Sequence, residues 1–246
     1  MKKIVEICCG SYDDARAAHL GGARRIELNQ ALFLGGLTPS IGSLILTKKN
    51  TDLEVVSMVR PRGAGFCYTE DEFQCMLEDC RLLLENGSDG IAFGFLTSSF
   101  TIDRARTEAF IKLIHSYGRT AVFHRAFDCT TDPFEAIELL ISLGADRVLT
   151  SGLADKAQDG IELLKTLQEH YGSQIQILAG SGINASNALT LMNATGITQV
   201  HSSCKSWCQD ITTRGMSVSY AYCPDNELAY DVVSAQLVRN IISSVN

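Results

Sequence analysis

The chain has 246 residues, of which 46% are hydrophobic and 20% charged, and its formal net charge is −7. This size and composition are typical of a globular protein with one full hydrophobic core, and we predict a single domain over residues 1–246. The acidic balance disfavours nucleic acid as a partner, because that partner needs a clustered basic face. No apolar run approaches the ~18 residues of a membrane span, so we expect no membrane partner either.

Short runs rich in Val, Ile and Leu alternate with longer amphipathic stretches along the whole chain. The alternation predicts eight strand-and-helix units, with strands over residues 3–8, 25–29, 53–60, 90–96, 120–127, 146–150, 175–179 and 198–202. Eight such units in about 250 residues favour a closed (β/α)8 TIM barrel. The alternative is an open doubly wound sheet, but the first strand is not followed by the G-x-G-x-x-G turn of a dinucleotide fold.

Local signals mark the helices and one long connection. Asp132 is an expected N-cap before Pro133, and Gly144 is the expected end of that helix. The stretch 205–226 is long for a strand-to-helix connection and contains several aromatic residues, so we expect a lid or a subunit contact there. Residues 227–245 are predicted to form the last helix.

Nine cysteines are spread along the chain without a convincing metal-binding motif. Cys75 and Cys80 have an unfavourable spacing on a predicted helix, and Cys204 and Cys208 are separated by three residues. Glu6 interrupts the only apolar run near the start, so no secretory signal is predicted. We therefore expect a cytoplasmic protein, in a reducing compartment.

Ionisable residues concentrate at the predicted carboxyl ends of the strands, where TIM barrels form their sites. Because side chains alternate along a strand, Glu6 and Cys8 of the first strand are expected to face the interior together with Glu27 and Asn29 of the second. Two carboxylates from adjacent strands then converge. Such an arrangement is either a catalytic site or a satisfied interior ion pair, for example of Glu6 or Glu27 with Arg60.

The fifth and eighth strands add histidines to this rim. Alternation turns Phe123 and Phe127 outward, and so predicts that His124 and Asp128 face inward, whereas His201 on the eighth strand has either orientation. The candidate acid–base residues are Glu6, Glu27, His124 and Asp128. A divalent ion held by Glu6, Glu27 and His124 is a further possibility.

A second group of residues suggests anion binding. Two arginines follow the third strand, and glycine and serine follow the seventh and eighth strands, where phosphate-binding barrels present backbone N–H groups. The candidates for substrate or anion binding are Arg60, Arg62, Arg125, Gly180, Ser181, Gly182, His201 and Ser202. They favour an enzyme that acts on a small phosphorylated or carboxylated metabolite by isomerase-, epimerase- or lyase-like acid–base chemistry.

A cysteine at a strand end offers a different chemistry. Thiolate ligands prefer soft ions such as Cu(I), and Cys8 is the candidate metal ligand because alternation turns it inward. Cys9, its neighbour, is expected to pack among the helices. The ligand is therefore either a small molecule or a metal ion.

The chain also carries eight short motifs in a fixed order: EICC (6–9), RIEL (25–28), GGLTPSIG (35–42), RPRGAGFCY (60–68), FHRAFD (123–128), RVLTSG (147–152), AGSG (179–182) and VHSS (200–203). Together they resemble the CutC family, whose members are named for copper homeostasis. The resemblance runs from residue 6 to about residue 203. It implies a cytoplasmic (β/α)8 barrel, commonly a homo-oligomer such as a dimer or tetramer, associated with copper tolerance and Cu(I) binding.

The resemblance also assigns possible ligands. The family's copper-binding cysteine in the first strand matches Cys8, but its partner, a cysteine directly after RIEL, is Asn29 in this chain. Gly65 stands where the family usually has an acidic residue. Copper binding is then expected to need Cys8 alone, Cys9 or another donor.

Overall fold

A computed structural model describes residues 3–223 and 226–246. Eight parallel strands close into a barrel in the order of the chain, and the first strand pairs with the eighth. The strands are β1 (Ile4–Cys9), β2 (Arg25–Leu28), β3 (Glu54–Met58), β4 (Gly90–Phe93), β5 (Thr120–Phe123), β6 (Arg147–Thr150), β7 (Gln176–Ala179) and β8 (Gln199–Ser202). The closed (β/α)8 barrel predicted from the sequence is confirmed.

Helices follow the barrel strands and cover the outside of the barrel. They are α1 (Tyr12–Leu20), α2 (Ile41–Asn50), α3 (Glu70–Glu85), α4 (Arg104–Ser116), α5 (Pro133–Leu143), α6 (Ile161–Tyr171), α7 (Ala188–Thr195) and α8 (Ala235–Val245). The side chain of Asp132 caps α5 and Pro133 is its first residue, as predicted, while Gly144 ends it at a φ of 85°. None of the helices in the described parts of the chain is long and apolar enough to cross a membrane.

The core has two layers with different compositions. Between the barrel and the helices lies a large apolar cluster, which includes Phe93, Phe110 and Phe123. Inside the barrel, Val56, Met58, Ala92 and Val122 of β3, β4 and β5 form a separate small apolar cluster. The strands on the other side of the barrel contribute buried charged side chains instead, which places polar chemistry on one half of the interior.

The fifth strand is shorter than predicted. β5 ends at Phe123, and a 3₁₀ helix (Arg125–Cys129) follows directly. The His124 side chain accepts a hydrogen bond from the backbone N–H of Ala126, which turns the chain out of the strand. The side-chain alternation assumed up to residue 127 therefore stops at residue 123.

The C-terminal part also differs from the prediction. Residues 205–209 form a strand, β9 (Lys205–Gln209), which pairs antiparallel with β10 (Ala229–Val233). The last helix is therefore α8, which begins at Ala235 rather than at residue 227. The prediction failed because the sequence 229–233 is apolar enough for a helix, while its pairing partner lies about twenty residues earlier.

Candidate ligand and metal site

A cavity of about 460 Å³ opens at the carboxyl ends of the barrel strands. Two groups of predicted site residues line it. From β1, β2 and β8 come Cys8, Glu27 and His201, and from the loops after β3, β5 and β7 come Arg60, His124, Arg125 and Ser181. This position matches the end of a TIM barrel at which sites form.

Three of these residues form a compact donor cluster. One ligand atom each from Cys8, Glu27 and His201 lies within 4.8 Å of the other two. Cys8 Sγ lies 3.9 Å from Glu27 Oε2, and His201 Nε2 lies 4.0 Å from the same oxygen. Neighbouring strands bring the three side chains together, since β1 lies between β2 and β8 in the barrel.

Glu6 lies beneath this cluster and is satisfied by buried cations. Its carboxylate lies 2.7 Å from Arg25 Nε and 3.7 Å from Arg147 Nη1, and it accepts from His201 Nδ1 at 2.9 Å. Burial opposes ionisation, but the charge of Arg25, helped by the His201 hydrogen bond, overcomes it and lowers the pKa of Glu6 to about 2. Glu6 is thus a structural carboxylate, and its counterions are Arg25 and Arg147 rather than the expected Arg60.

Burial, hydrogen bonds and neighbouring charges together set the pKa values of Cys8, Glu27 and His201. Burial raises the pKa of Cys8, which favours the neutral thiol. Burial also raises the pKa of Glu27, and the nearby charge of Glu6 adds to the effect. Burial disfavours a charged His201, but hydrogen bonds to Cys8 and Glu6 and the charge of Glu27 raise its pKa well above the usual value.

Asn29 completes this side of the cavity. Its side-chain amide donates to Glu27 Oε2 at 2.9 Å and to Cys8 Sγ at 3.6 Å. Asn29, at the position where the resemblance implied a second cysteine, therefore contacts Cys8. It contributes a neutral hydrogen-bond donor where a thiol would have contributed a soft metal ligand.

The histidine and aspartate of the fifth strand separate. His124 lines the cavity, whereas Asp128 points to the loop after β6, where it accepts from the backbone N–H of Ser151 and from the Thr150 hydroxyl. It also pairs with Arg125 at 2.7 Å. The expectation that Asp128 faces the interior is wrong, because the strand ends before it; its bonds make it a structural residue.

The predicted three-residue ion site does not form. Within the described part of the chain, Cys8, Glu27 and His201 are the only group of at least three His, Cys, Asp or Glu side chains whose ligand atoms lie this close. The Glu6 carboxylate is paired with Arg25 and Arg147, and His124 lies on the loop after β5. A site of Glu6, Glu27 and His124 is therefore not supported.

The arginines of the third loop also have different roles. Arg60 lines the cavity and donates to the carbonyls of Leu34 and Gly36, which holds two loops together. Arg62 instead pairs with Glu72 of α3 and lies 5.0 Å from the Tyr68 ring. Arg62 is not among the cavity-lining residues, so its assignment to anion binding is not supported by its position.

The glycine loop after β7 reaches the cavity only in part. Ser181 lines the cavity, but the backbone N–H of Gly180 donates to Thr150 within the sheet. Gly182 and Ser202 line a separate cavity of about 280 Å³, where the Ser202 hydroxyl donates to the Ile183 carbonyl. The predicted anion loop is therefore divided between two cavities.

Sequence reasoning missed several functional neighbours. Arg25 lies two residues before Glu27 on the same strand, so alternation could have placed it inside the barrel. Phe66 and Lys156 also line the cavity, but both lie in loops, and no periodic pattern of the sequence points to them.

The geometry defines a (β/α)8 barrel with a mixed sulfur, nitrogen and oxygen donor cluster at its mouth. The CutC family profile matches residues 3–206, which include every barrel strand. The chain belongs to the CutC family. A CutC family protein of Treponema denticola is 52% identical over 202 residues, which cover 82% of this chain and 81% of that protein.

Two further relatives extend the comparison. A CutC family protein of Vibrio campbellii is 34% identical over 247 residues, which cover 100% of this chain and 100% of that protein. The similarity therefore includes β10 and α8. The crystal structure of CutC from Streptococcus agalactiae has 31% sequence identity and a TM-score of 0.77, over 82% of this chain and 98% of that chain. That protein is associated by its name with copper homeostasis.

Proposed function

We propose that this CutC family member acts in copper homeostasis by binding Cu(I) at Cys8 and His201, with Glu27 beside them. The observation that carries the proposal is the convergence of these three donors within 4.8 Å. Thiolate and imidazole are ligands that suit Cu(I). The name of the Streptococcus agalactiae relative supports the same role.

The arrangement around His201 supports its role as a ligand. Its Nδ1 is held by Glu6 at 2.9 Å, which leaves Nε2 on the side of Glu27. Metal-binding histidines commonly have one nitrogen fixed by a carboxylate in this way. Glu6 would then act as a positioning residue, and the metal would replace the protons on the Cys8 thiol and on His201 Nε2.

Competition between the full chain and a chromophoric Cu(I) chelator tests the site. We expect one Cu(I) per chain, with binding lost in Cys8→Ser and weakened at least about tenfold in His201→Gln. Cys75→Ser is the matched control, because Cys75 is exposed on α3 and lies outside the cluster. Equal competition by the wild type and Cys8→Ser would disprove the assignment.

We also propose a cytoplasmic location. All nine cysteines are free in the structure, as a reducing compartment requires. Fractionation of cells with an antibody against the chain tests this, and recovery in a secreted or membrane fraction would contradict it.

We propose in addition that the chain forms a homo-oligomer, a dimer or a tetramer. The segment between β9 and β10 supports this, because Ile211 and Tyr220 are 81% and 83% exposed and Met216 and Val218 lie exposed between them. Apolar side chains grouped on one segment are typical of contact surfaces. Light scattering with Met216→Lys and Tyr220→Lys is expected to show a smaller particle than the wild type.

A second candidate function is an enzyme that acts on a small phosphorylated or carboxylated metabolite. His124 favours it, since the ring lies in the cavity wall with Nε2 unpaired by any described residue. An isomerase or epimerase would exchange a substrate hydrogen with solvent, so pooled metabolites should incorporate deuterium in D₂O with wild type but not with His124→Gln. Absence of any exchange would count against an enzyme of this class.

A further inference from the structure

Two buried nitrogen donors in the cavity wall have no hydrogen-bond acceptor among the described residues. They are His124 Nε2 and Arg60 Nε, on side chains that are 3% and 5% exposed. Both side chains line the cavity. Buried donors are nearly always paired in native proteins, because leaving one unpaired destabilises the fold. The wall of the cavity therefore contains two N–H groups that lack an acceptor among the described residues.

The hydrogen bonds of His124 determine which nitrogen is the donor. Nδ1 accepts from the backbone N–H of Ala126 at 3.1 Å, so the ring hydrogen lies on Nε2. Burial, together with the charge of Arg60, lowers the pKa of His124 to about 3. At neutral pH the ring is thus uncharged and presents a single N–H.

Arg60 supplies a positive charge that no acidic residue neutralises. Its other nitrogens donate to backbone carbonyls, including those of Leu34 and Gly36, and no described carboxylate lies within 4.0 Å of it. Phe66 packs against both donors, with its ring centre 5.1 Å from Arg60 Cζ and 5.0 Å from the His124 ring centre. Arg60, Phe66 and His124 therefore form one continuous section of the wall.

The charges around the rest of the cavity favour an anion as well. Arg125 and Lys205 line it but are already paired with Asp128 and Asp231. Lys156 forms a weaker ion pair, because its partner Asp155 is 3.4 Å away and 88% exposed. Glu27 is the one carboxylate among the lining residues identified, against four arginine and lysine side chains. A chain with a net charge of −7 thus has a cationic cavity wall, and such a wall attracts anions.

We propose that this cavity binds a small organic anion, whose carboxylate or phosphate group accepts hydrogen bonds from His124 Nε2 and Arg60 Nε while Lys156 adds a positive charge. The volume of about 460 Å³ lies in the range of small-molecule sites and exceeds what a bare ion needs. The oxyanion group is the shared chemistry, and either kind of metabolite can carry it. The proposal rests on the second candidate function for its ligand class, but it concerns binding alone, so an anion that binds without deuterium exchange would support it and count against the enzyme. Binding does not depend on copper, because the proposed copper ligands come from the other strands.

Calorimetric titration of the full metal-free chain tests the proposal with three small probes: glycerol 3-phosphate, lactate and neutral glycerol. We expect saturable binding of at least one anion and none of glycerol, and the stronger anion identifies the preferred oxyanion. His124→Phe should weaken that binding about tenfold, the value of one lost hydrogen bond to a charged group. Lys156→Met should weaken it several-fold, and Lys165→Met, on the outer helix α6, is the matched control.

Failure of both anions to bind, or equal binding by the wild type, His124→Phe and Lys156→Met, would overturn the proposal. If His124→Phe does not fold, Lys156→Met decides alone, because its side chain is 56% exposed and its loss leaves the core intact. Cys8→Ser separates the two sites. It should lose Cu(I) but keep the anion, and loss of the anion in Cys8→Ser would contradict an independent site.

Discussion

His201 and His124 line the same cavity from different halves of the barrel, yet their protonation is opposite. Both are buried, and burial alone lowers the pKa of a histidine. His201 lies between Glu6 and Glu27, and its pKa is raised well above the usual value, whereas His124 faces Arg60 and has a pKa of about 3. Because burial lowers the pKa of both rings, the hydrogen bonds and charges of their neighbours account for the difference between them.

The two halves of the interior explain how one barrel maintains both states. On the side of β1, β2 and β8, Glu6 forms a buried ionic layer with Arg25, and Arg147 of β6 reaches the same carboxylate. On the side of β3, β4 and β5, Val56, Met58 and Val122 fill the interior and leave no counterion for His124. The first half suits a charged group or a metal ligand, and the second suits a neutral donor.

Replacement of Glu6 should have the largest effect on this contrast. Glu6→Leu leaves Arg25 and Arg147 buried without their partner, and breaking such a buried pair costs about 3–5 kcal/mol. Denaturant unfolding at neutral pH measures the loss. Glu169→Gln is the control, since Glu169 forms an exposed pair and its loss should cost less than about 0.5 kcal/mol. Equal stability of Glu6→Leu and wild type would show that the ionic layer is not needed.

The neutral state of His124 should produce a pH-dependent stability. Its folded pKa of about 3 lies below the ordinary value of 6.5, so its contribution is complete above pH 6.5 and falls as the pH drops towards 3. At pH 5 the unfolded ring is protonated and the folded ring is not, which costs about 2 kcal/mol relative to pH 7. Denaturant unfolding at both pH values should show that His124→Gln loses less free energy of unfolding between pH 7 and pH 5 than the wild type does. An equal loss in both proteins would mean that the pKa of His124 is not lowered by folding.

A cysteine at position 29, which the resemblance to the family implied, should strengthen only the metal site. Asn29→Cys places a second thiol next to Cys8, where the amide now lies 3.6 Å from Cys8 Sγ. We expect Cu(I) affinity to rise about tenfold or more, or about 1.4 kcal/mol, because two soft ligands replace one. Chelator competition under reducing conditions measures this, and the pH dependence of His124 should not change. Weaker binding in Asn29→Cys would show that the Asn29 amide itself supports the metal.

Loss of Arg62 should have the smallest effect, in contrast to its neighbour Arg60. Arg62 pairs with Glu72 at the surface, so Arg62→Met should cost less than about 1 kcal/mol. It should also leave glycerol 3-phosphate and lactate binding unchanged, because Arg62 is not among the residues that line the cavity. Calorimetry measures both anions, and a loss of binding would place Arg62 in the anion site.

Side-chain alternation predicted the interior correctly along each strand and one residue beyond it, as Asn29 and His124 show. It turned Glu6, Cys8 and Glu27 inward because β1 and β2 continue through these positions. It failed at Asp128 because β5 ends at Phe123. Directly after the strand, the His124 side chain accepts a hydrogen bond from the backbone N–H of Ala126. A local hydrogen bond ended the strand, and no periodic pattern contains that information.

The choice of partners could not be predicted in the same way. The Glu6 contact with His201 joins residues 195 positions apart, and it exists because β8 closes the barrel against β1. Lys156 and Phe66 reach the cavity from loops, whose paths depend on packing with other loops. The sequence predicted a rim rich in Glu, Arg, His and Cys, but it did not predict which of these groups would pair.

By itself, the sequence determined the closed barrel, its strand order and the end of the barrel that carries polar chemistry, because these follow from local periodicity and from the right-handed βα connection. Only the tertiary structure decided that His201 is charged and His124 neutral, and that Asn29 contacts Cys8. Protonation depends on charges and backbone groups within a few ångströms, and residues far apart in the chain meet at those distances only after the barrel has closed.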